Sequence, residues 1–214
     1  MKKDGRYDVS GLPEAQFEPG SNEQVLRNRL GIKSPTVMDD AETRVLEKAM
    51  VELVGKYDER HRFTATDICQ IHKRWLGEIY EWAGEYRQVN VSKGEFPFAA
   101  AARVPDLMTE YERSVLARYT PCNLKDRAAV ARALAVTHVE LVLIHPFREG
   151  NGRAARILSI LMALQAGLPP LNFSAIAEEK KQEYFAAVQA GLDKNYAPME
   201  RLFAEIIERS LASS

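Results

Sequence analysis

The stretch His145-Pro146-Phe147-Arg148-Glu149-Gly150-Asn151-Gly152-Arg153-Ala154-Ala155-Arg156 lies between two strongly apolar, helically spaced segments, and its reading decides both fold and function. Gly150-Asn151-Gly152 marks a loop turning into a helix. There, unpaired backbone N–H groups meet the positive end of the helix dipole and suit a phosphate. Arg153 and Arg156 fall in the first turn of that helix, so both guanidinium groups can reach one side and grip phosphate oxygens in pairs. Glu149 offers a hard oxygen to Mg²⁺, an ion commonly shared between one or two carboxylates and substrate phosphates. His145 is a natural general base for an incoming hydroxyl, because imidazole titrates near neutrality. The Gly-x4-Gly-Lys-Ser/Thr pattern of a P-loop is absent. Taken singly, each residue has a plainer reading: a turn, a solvated charge, a core histidine. Taken in this order, they read as a magnesium–nucleotide triphosphate site with its own base.

These residues match the motif His-x-Phe-x-(Asp/Glu)-Gly-Asn-Gly-Arg-x-x-Arg, and the chain thereby resembles the Fic family, most of all its stand-alone bacterial toxin-type members. The resemblance implies an all-α Fic-fold helical bundle with a small β-hairpin flap over the active site. It implies a protein adenylyltransferase that moves AMP from ATP to a Tyr, Thr or Ser hydroxyl of a target protein and releases pyrophosphate. On that resemblance His145 is the base and Phe147 the apolar anchor of the loop. Glu149 is the Mg²⁺ ligand, Gly150, Asn151 and Gly152 form the anion hole, and Arg153 and Arg156 contact the β- and γ-phosphates. Doc-type relatives, which differ at the glycine positions and transfer phosphate, are less similar. A Fic-type transferase of another donor group (UMP, GMP or phosphate) and a nucleotide-binding module without transfer activity remain open alternatives. Toxin-type members of this size modify bacterial topoisomerase subunits, which makes those the implied first target.

With 214 residues, 46% of them hydrophobic, the chain is long enough for one ordinary globular core. The expected division is an N-terminal arm over 1–35, punctuated by Gly11, Pro13, Pro19, Gly20, Gly31 and Pro35 and packed on the domain, and a Fic domain over 36–214. A formal net charge of −1 argues against direct nucleic-acid binding, and no apolar run approaches the roughly 20 residues that span a bilayer. The polar start Met1-Lys2-Lys3-Asp4-Gly5 lacks an apolar signal region, so a cytoplasmic protein is expected. Cys69 and Cys122, without a CxxC or a histidine partner, read as reduced thiols.

Along the chain, the spacing predicts a helix over 37–56 burying Ala41, Val45, Ala49 and Leu53, then a second helix capped by Thr64 and running to Ile79. His72, on the apolar face of that helix beside Trp75, reads as a packed histidine. Gly84, Gly94 and Pro97 around an alternating 87–92 predict a hairpin. By resemblance it is the flap, with Val91, Ser92, Lys93, Gly94 and Phe96 holding the target by strand-like pairing and Phe98 over the site mouth. Helices are predicted over 105–119 and 124–144, the latter burying a stripe through His138 that delivers His145 to its end. Further helices are expected after the motif, over 179–192 and over 197–211. Asn195 and Tyr196 resemble a family segment near the nucleotide base.

Many Fic proteins are restrained by a helix carrying (Ser/Thr)-x-x-x-Glu-(Gly/Asn), whose glutamate pairs with the second motif arginine. Here Thr43…Glu47 and Ser174…Glu178 lack the final Gly or Asn, and Ser10…Glu14 contains Gly11 and Pro13. The expectation is therefore that a small antitoxin-like partner supplies the inhibitory helix in trans.

Overall fold

The structure, a computed structural model, describes residues 11–174 and 179–213. Helix α1 (Pro35–Lys56) starts on a proline, whose missing N–H costs nothing at a helix start. It buries Met38, Ala41, Ala49 and Leu53, but its inward face also carries the carboxylate of Glu42, while Val45 is only partly buried. Helix α2 (Ala65–Leu76) opens on the expected Thr64, whose hydroxyl accepts from Asp67 N–H while the Asp67 carboxylate accepts from Thr64 N–H. It stops at Leu76, short of the expected Ile79. Ile79 and Tyr80 both donate to the Leu76 carbonyl, and the chain turns there, so Ile79 enters the core from a loop.

The hairpin is short: β1 (Ser92–Lys93) pairs antiparallel with β2 (Phe96–Pro97), with Lys93 opposite Phe96. Helix α3 (Val104–Tyr111) runs through a π turn (Glu112–Leu116) into a last turn, Ala117–Tyr119. Helix α4 (Arg127–Ile144) begins after Asp126, not at Leu124, because the Asp126 carboxylate accepts from Ala129 N–H and fixes the start. The expectation of one buried stripe on α4 is also corrected. It is buried on nearly every side, packing between α5 (Asn151–Gln165) and α7 (Ala197–Ala212), with α6 (Lys181–Ala190) beside it. A helix hydrophobic all round is a central helix. Among the described residues no helix is long and apolar enough to cross a membrane.

Residues 11–34 lie over the helices. Arg29 N–H donates to the Ile79 carbonyl, and buried Glu14 accepts from Gln88 N–H at 2.6 Å while its own carbonyl accepts from Arg148. On the other side of the bundle a 3₁₀ turn (Gly191–Asp193) meets α4 so closely that a Cβ at Gly191 would overlap a Val139 methyl. Gly191→Ala is therefore expected to cost about 1–3 kcal/mol. Thermal denaturation checks this, and adding Val139→Ala should recover part of the loss.

Candidate active site

His145 caps the C-terminus of α4 in the left-handed region, at φ 53 and ψ 60. A non-glycine residue there costs roughly 1–2 kcal/mol, so the surroundings must hold it. Arg87 does much of that. It is 1% exposed, and its guanidinium donates to the His145 carbonyl at 2.6 Å, to Val89 at 2.8 Å and to Ala99, while its own N–H donates to Pro146. The imidazole Nδ1 lies 3.0 Å from the Val142 carbonyl. A carbonyl can only accept, so Nδ1 carries the proton and Nε2 keeps its lone pair. Phe98 covers the ring face to face, 3.5 Å between centroids. Burial pushes the His145 pKa down to about 4, helped by the Arg87 and Lys93 charges and opposed by the Val142 carbonyl. The ring is thus neutral at physiological pH, as a base must be.

The loop after His145 is fixed from inside the protein. Phe147 is fully buried and stacks on His72 at 3.8 Å. The buried Asn151 amide accepts from Phe147 N–H and donates to the Phe147 carbonyl, both at 2.8 Å, so its side chain clamps the loop and only its backbone is left for an anion. His72 receives Gly84 N–H on Nδ1 and therefore donates from Nε2 to the Glu149 carbonyl at 3.0 Å. Burial holds its pKa down at about 4. It is a packed histidine that also pins the loop. Gly150 sits at φ 80, and a Cβ there would come within 2.8 Å of the Trp75 ring, which is why this position is glycine. His138 hydrogen-bonds Tyr184 at 2.8 Å and packs edge-on to Phe203, so it belongs to the core.

Flap, motif and α6 enclose a cavity of about 900 Å³. His145, Glu149, Gly150, Asn151, Gly152, Arg153 and Arg156 line it, and so do Val91, Ser92, Lys93, Gly94 and Phe96 of the flap. Phe147, the anchor, lies beneath it. Asn195 and Tyr196 do not line it: Tyr196 O–H donates to Glu140, and Asn195 N–H donates to Ala190. That side of the cavity is lined by Tyr184, Phe185, Val188 and Gln189 of α6. The helical spacing of those residues was visible in the sequence, but nothing in it said which way that face turned.

The two motif arginines differ. Arg153 pairs with the buried Glu42 carboxylate, lies 3.7 Å from Asp39 and 3.9 Å from Glu149, and stands over the Trp75 ring. Among the described residues no carboxylate pairs with Arg156, whose Nε is buried without a partner. Glu47 is exposed on α1, Glu14 is engaged at Gln88, and Glu178 lies outside the described residues. Glu149 is half exposed, and its carboxylate accepts from Gly150 N–H. No group of three or more His, Cys, Asp or Glu among the described residues could hold a metal by itself. That donor set fits Mg²⁺, which takes one carboxylate and completes its shell with phosphate oxygens and water.

Residues 62–163 match the sequence model of the Fic/DOC family. The chain is 24% identical over 206 residues to the protein adenylyltransferase Fic of Drosophila ananassae; the match takes in 96% of this chain and 40% of that protein. The chain thus spans about 40% of the length of the curated relatives it matches. Its fold is that of the BepC protein, a VirB-translocated effector of Bartonella tribocorum whose crystal structure contains AMPPNP (TM-score 0.72, 23% identity, 91% of this chain and 97% of that one). It is also that of the N-terminal Fic domain of a cell filamentation protein of Bartonella quintana with bound ADP (TM-score 0.71, 24% identity, 91% and 95%).

His72, His138 and His145 all have folded pKa values below the unfolded 6.5, at about 4, 3 and 4. The unfolded chain therefore binds protons that the folded chain refuses, so their contribution to stability is complete above pH 6.5 and is lost as pH falls towards 4. The melting temperature should drop by roughly 5–15 °C between pH 7 and pH 5. A flat profile in scanning calorimetry would mean that these rings are charged in the fold.

Proposed function

We propose, from the match of residues 62–163 to the Fic/DOC family model, that this protein is an adenylyltransferase that transfers AMP from ATP to a Tyr, Thr or Ser hydroxyl of a target protein. The observation that carries the reading is a neutral imidazole whose Nδ1 is the protonated nitrogen, lining a cavity with the Glu149 carboxylate, a glycine-flanked helix start and Arg156, which pairs with no carboxylate among the described residues. The relatives named protein adenylyltransferase Fic, and the neighbours crystallised with AMPPNP and ADP, support it.

In this reading the triphosphate lies along the start of α5 with its β- and γ-phosphates on Arg153 and Arg156. The base rests against the apolar α6 wall around Phe185 and Val188. The target segment adds to the flap as a further strand, which presents its hydroxyl to His145. His145 Nε2 takes the hydroxyl proton as the oxygen attacks the α-phosphorus; the bond from that phosphorus to the bridging oxygen breaks, and pyrophosphate leaves. Glu149 would hold Mg²⁺ together with the phosphates, and the ion supplies neutralisation of the charge that builds on the leaving group.

The reaction needs ATP and Mg²⁺, so a cytoplasmic setting suits it. The unpartnered Arg156 supports restraint by a glutamate from a small antitoxin-like partner in trans, since no described carboxylate of this chain occupies it. Topoisomerase subunits are the first targets to try, on the resemblance to toxin-type members alone.

The test is intact-mass spectrometry of the protein and of a cytosolic extract after incubation with ATP and Mg²⁺, beside His145→Ala. The expected result is the mass of one adenylyl group on a target, lost in the variant by about 10²–10⁴-fold. Addition of a bare phosphoryl group, or a His145→Ala protein with undiminished transfer, would overturn the reading.

A further inference from the structure

Glu42 lies far from the motif in sequence, on the inward face of α1, where the helical pattern calls for an apolar residue. It is 3% exposed. Buried carboxylates persist only when paired and hydrogen-bonded, and every oxygen of this residue is engaged. Oε1 accepts from the Tyr80 hydroxyl at 2.7 Å, the main-chain carbonyl accepts from Trp75 Nε1 at 3.0 Å, and Oε2 pairs with Arg153 Nη2. The Trp75 ring that anchors Glu42 also lies under the Arg153 guanidinium, 4.8 Å from its centre. Glu42, Trp75 and Tyr80 thus form a socket that fixes one edge of Arg153 and one face of it.

Two uses of such a socket are conceivable, and the geometry separates them. A carboxylate that blocked the phosphate site would have to withdraw when nucleotide arrives. Glu42 sits within a 22-residue helix and is tied at both its side chain and its backbone, so withdrawal would strip two buried polar groups, the Tyr80 hydroxyl and the Trp75 indole N–H, of their partners and release Arg153 as well. A guanidinium carries five N–H donors, and Glu42 engages only its Nη2 end. Arg153 lines the cavity, and its Nη1 lies 3.7 Å from the exposed Asp39 carboxylate, a contact that water weakens. We infer that Glu42, held by Tyr80 and Trp75, is a positioning residue that presets Arg153 for the β,γ end of a nucleoside triphosphate. The inference rests on the nucleotide-site reading above and adds to it a residue that the motif does not contain. It also divides the labour of the arginines: Arg153 is fixed before the ligand comes, and Arg156 is left for it.

The experiment is isothermal titration of the intact chain with ATP plus MgCl₂, and separately with AMP, in a His145→Ala background that stops turnover. Glu42→Gln keeps the shape and removes the charge. It should weaken ATP binding by about 10-fold or more, the span of a lost charge-assisted hydrogen bond, and leave AMP binding unchanged, because AMP has no β,γ end. Tyr80→Phe, which keeps Glu42 but frees its other oxygen, should weaken ATP by a few-fold in the same ATP-only manner. Added to Arg153→Gln, Glu42→Gln should cost nothing more. Equal weakening of ATP and AMP would reduce Glu42 to a structural residue, and tighter ATP binding would make it a brake; either overturns the inference, as does no change at all. A parent chain that binds no ATP would instead overturn the nucleotide-site reading itself.

Discussion

A buried arginine held by backbone carbonyls, with no carboxylate paired to it among the described residues, is the constraint on which the site depends. Arg87 is closed off from water, and its guanidinium is satisfied by the carbonyls of Val89, Ala99 and His145. Burial of an unpaired charge is expensive, and here the cost is met because one acceptor belongs to the C-terminal turn of α4, where the helix dipole is negative. Those carbonyls are the two ends of the flap and the residue that carries the proposed base. One planar fork therefore sets the distance between the strand that would receive a target and the nitrogen that would deprotonate it. A lysine could keep the charge but could not reach three divergent carbonyls at once.

Neutrality of the imidazoles is a second theme, and it serves two ends. In His72 both ring nitrogens are occupied, one by Gly84 N–H and one by the Glu149 carbonyl, so neutrality is built into its role as a pin between α2 and the motif loop. In His145 Nδ1 is engaged by Val142, and the residue, held in the left-handed turn, lines the cavity. Both have pKa values near 4, chiefly from burial, yet only one has a lone pair to offer. A depressed pKa by itself thus distinguishes nothing here; the hydrogen bonds do.

How much of this was legible beforehand follows from where the residues sit in the chain. The motif residues are contiguous, and the physics of a helix start makes their chemistry readable in one pass, so His145, Glu149, Gly150, Asn151, Gly152, Arg153 and Arg156 were named together and do line one cavity. The Thr64 cap and the hairpin were legible for the same reason, being local. Glu42 was missed because a single carboxylate on an amphipathic helix looks like a surface charge until the partner from α5 is in place. Asn195 and Tyr196 lie outside the cavity for a similar reason: Glu140 of α4 captures the Tyr196 hydroxyl, and the neighbouring helix α6 lines the cavity. The all-round burial of α4 follows from its place between α5 and α7, a fact of tertiary packing that periodicity within one helix cannot report.

The electrostatics of the cavity complete the argument. Lys93, Arg148, Arg153, Arg156 and Lys181 line it, and among the described residues Glu149 is the one carboxylate beside them. Burial holds the Lys93 pKa down, the nearby Lys181 and Arg156 charges push it the same way, and the Glu149 carboxylate opposes them. Overall the chain is almost neutral, so this crowding is local and not a general basic character. A polyanion entering the cavity would relieve it, and would do so most at Arg156, whose buried Nε has no hydrogen-bond partner among the described residues. The arginine already held by Glu42 gains less from the ligand but also has less freedom to lose. A polyphosphate bound there would draw its electrostatic gain from one arginine and its orientation from the other.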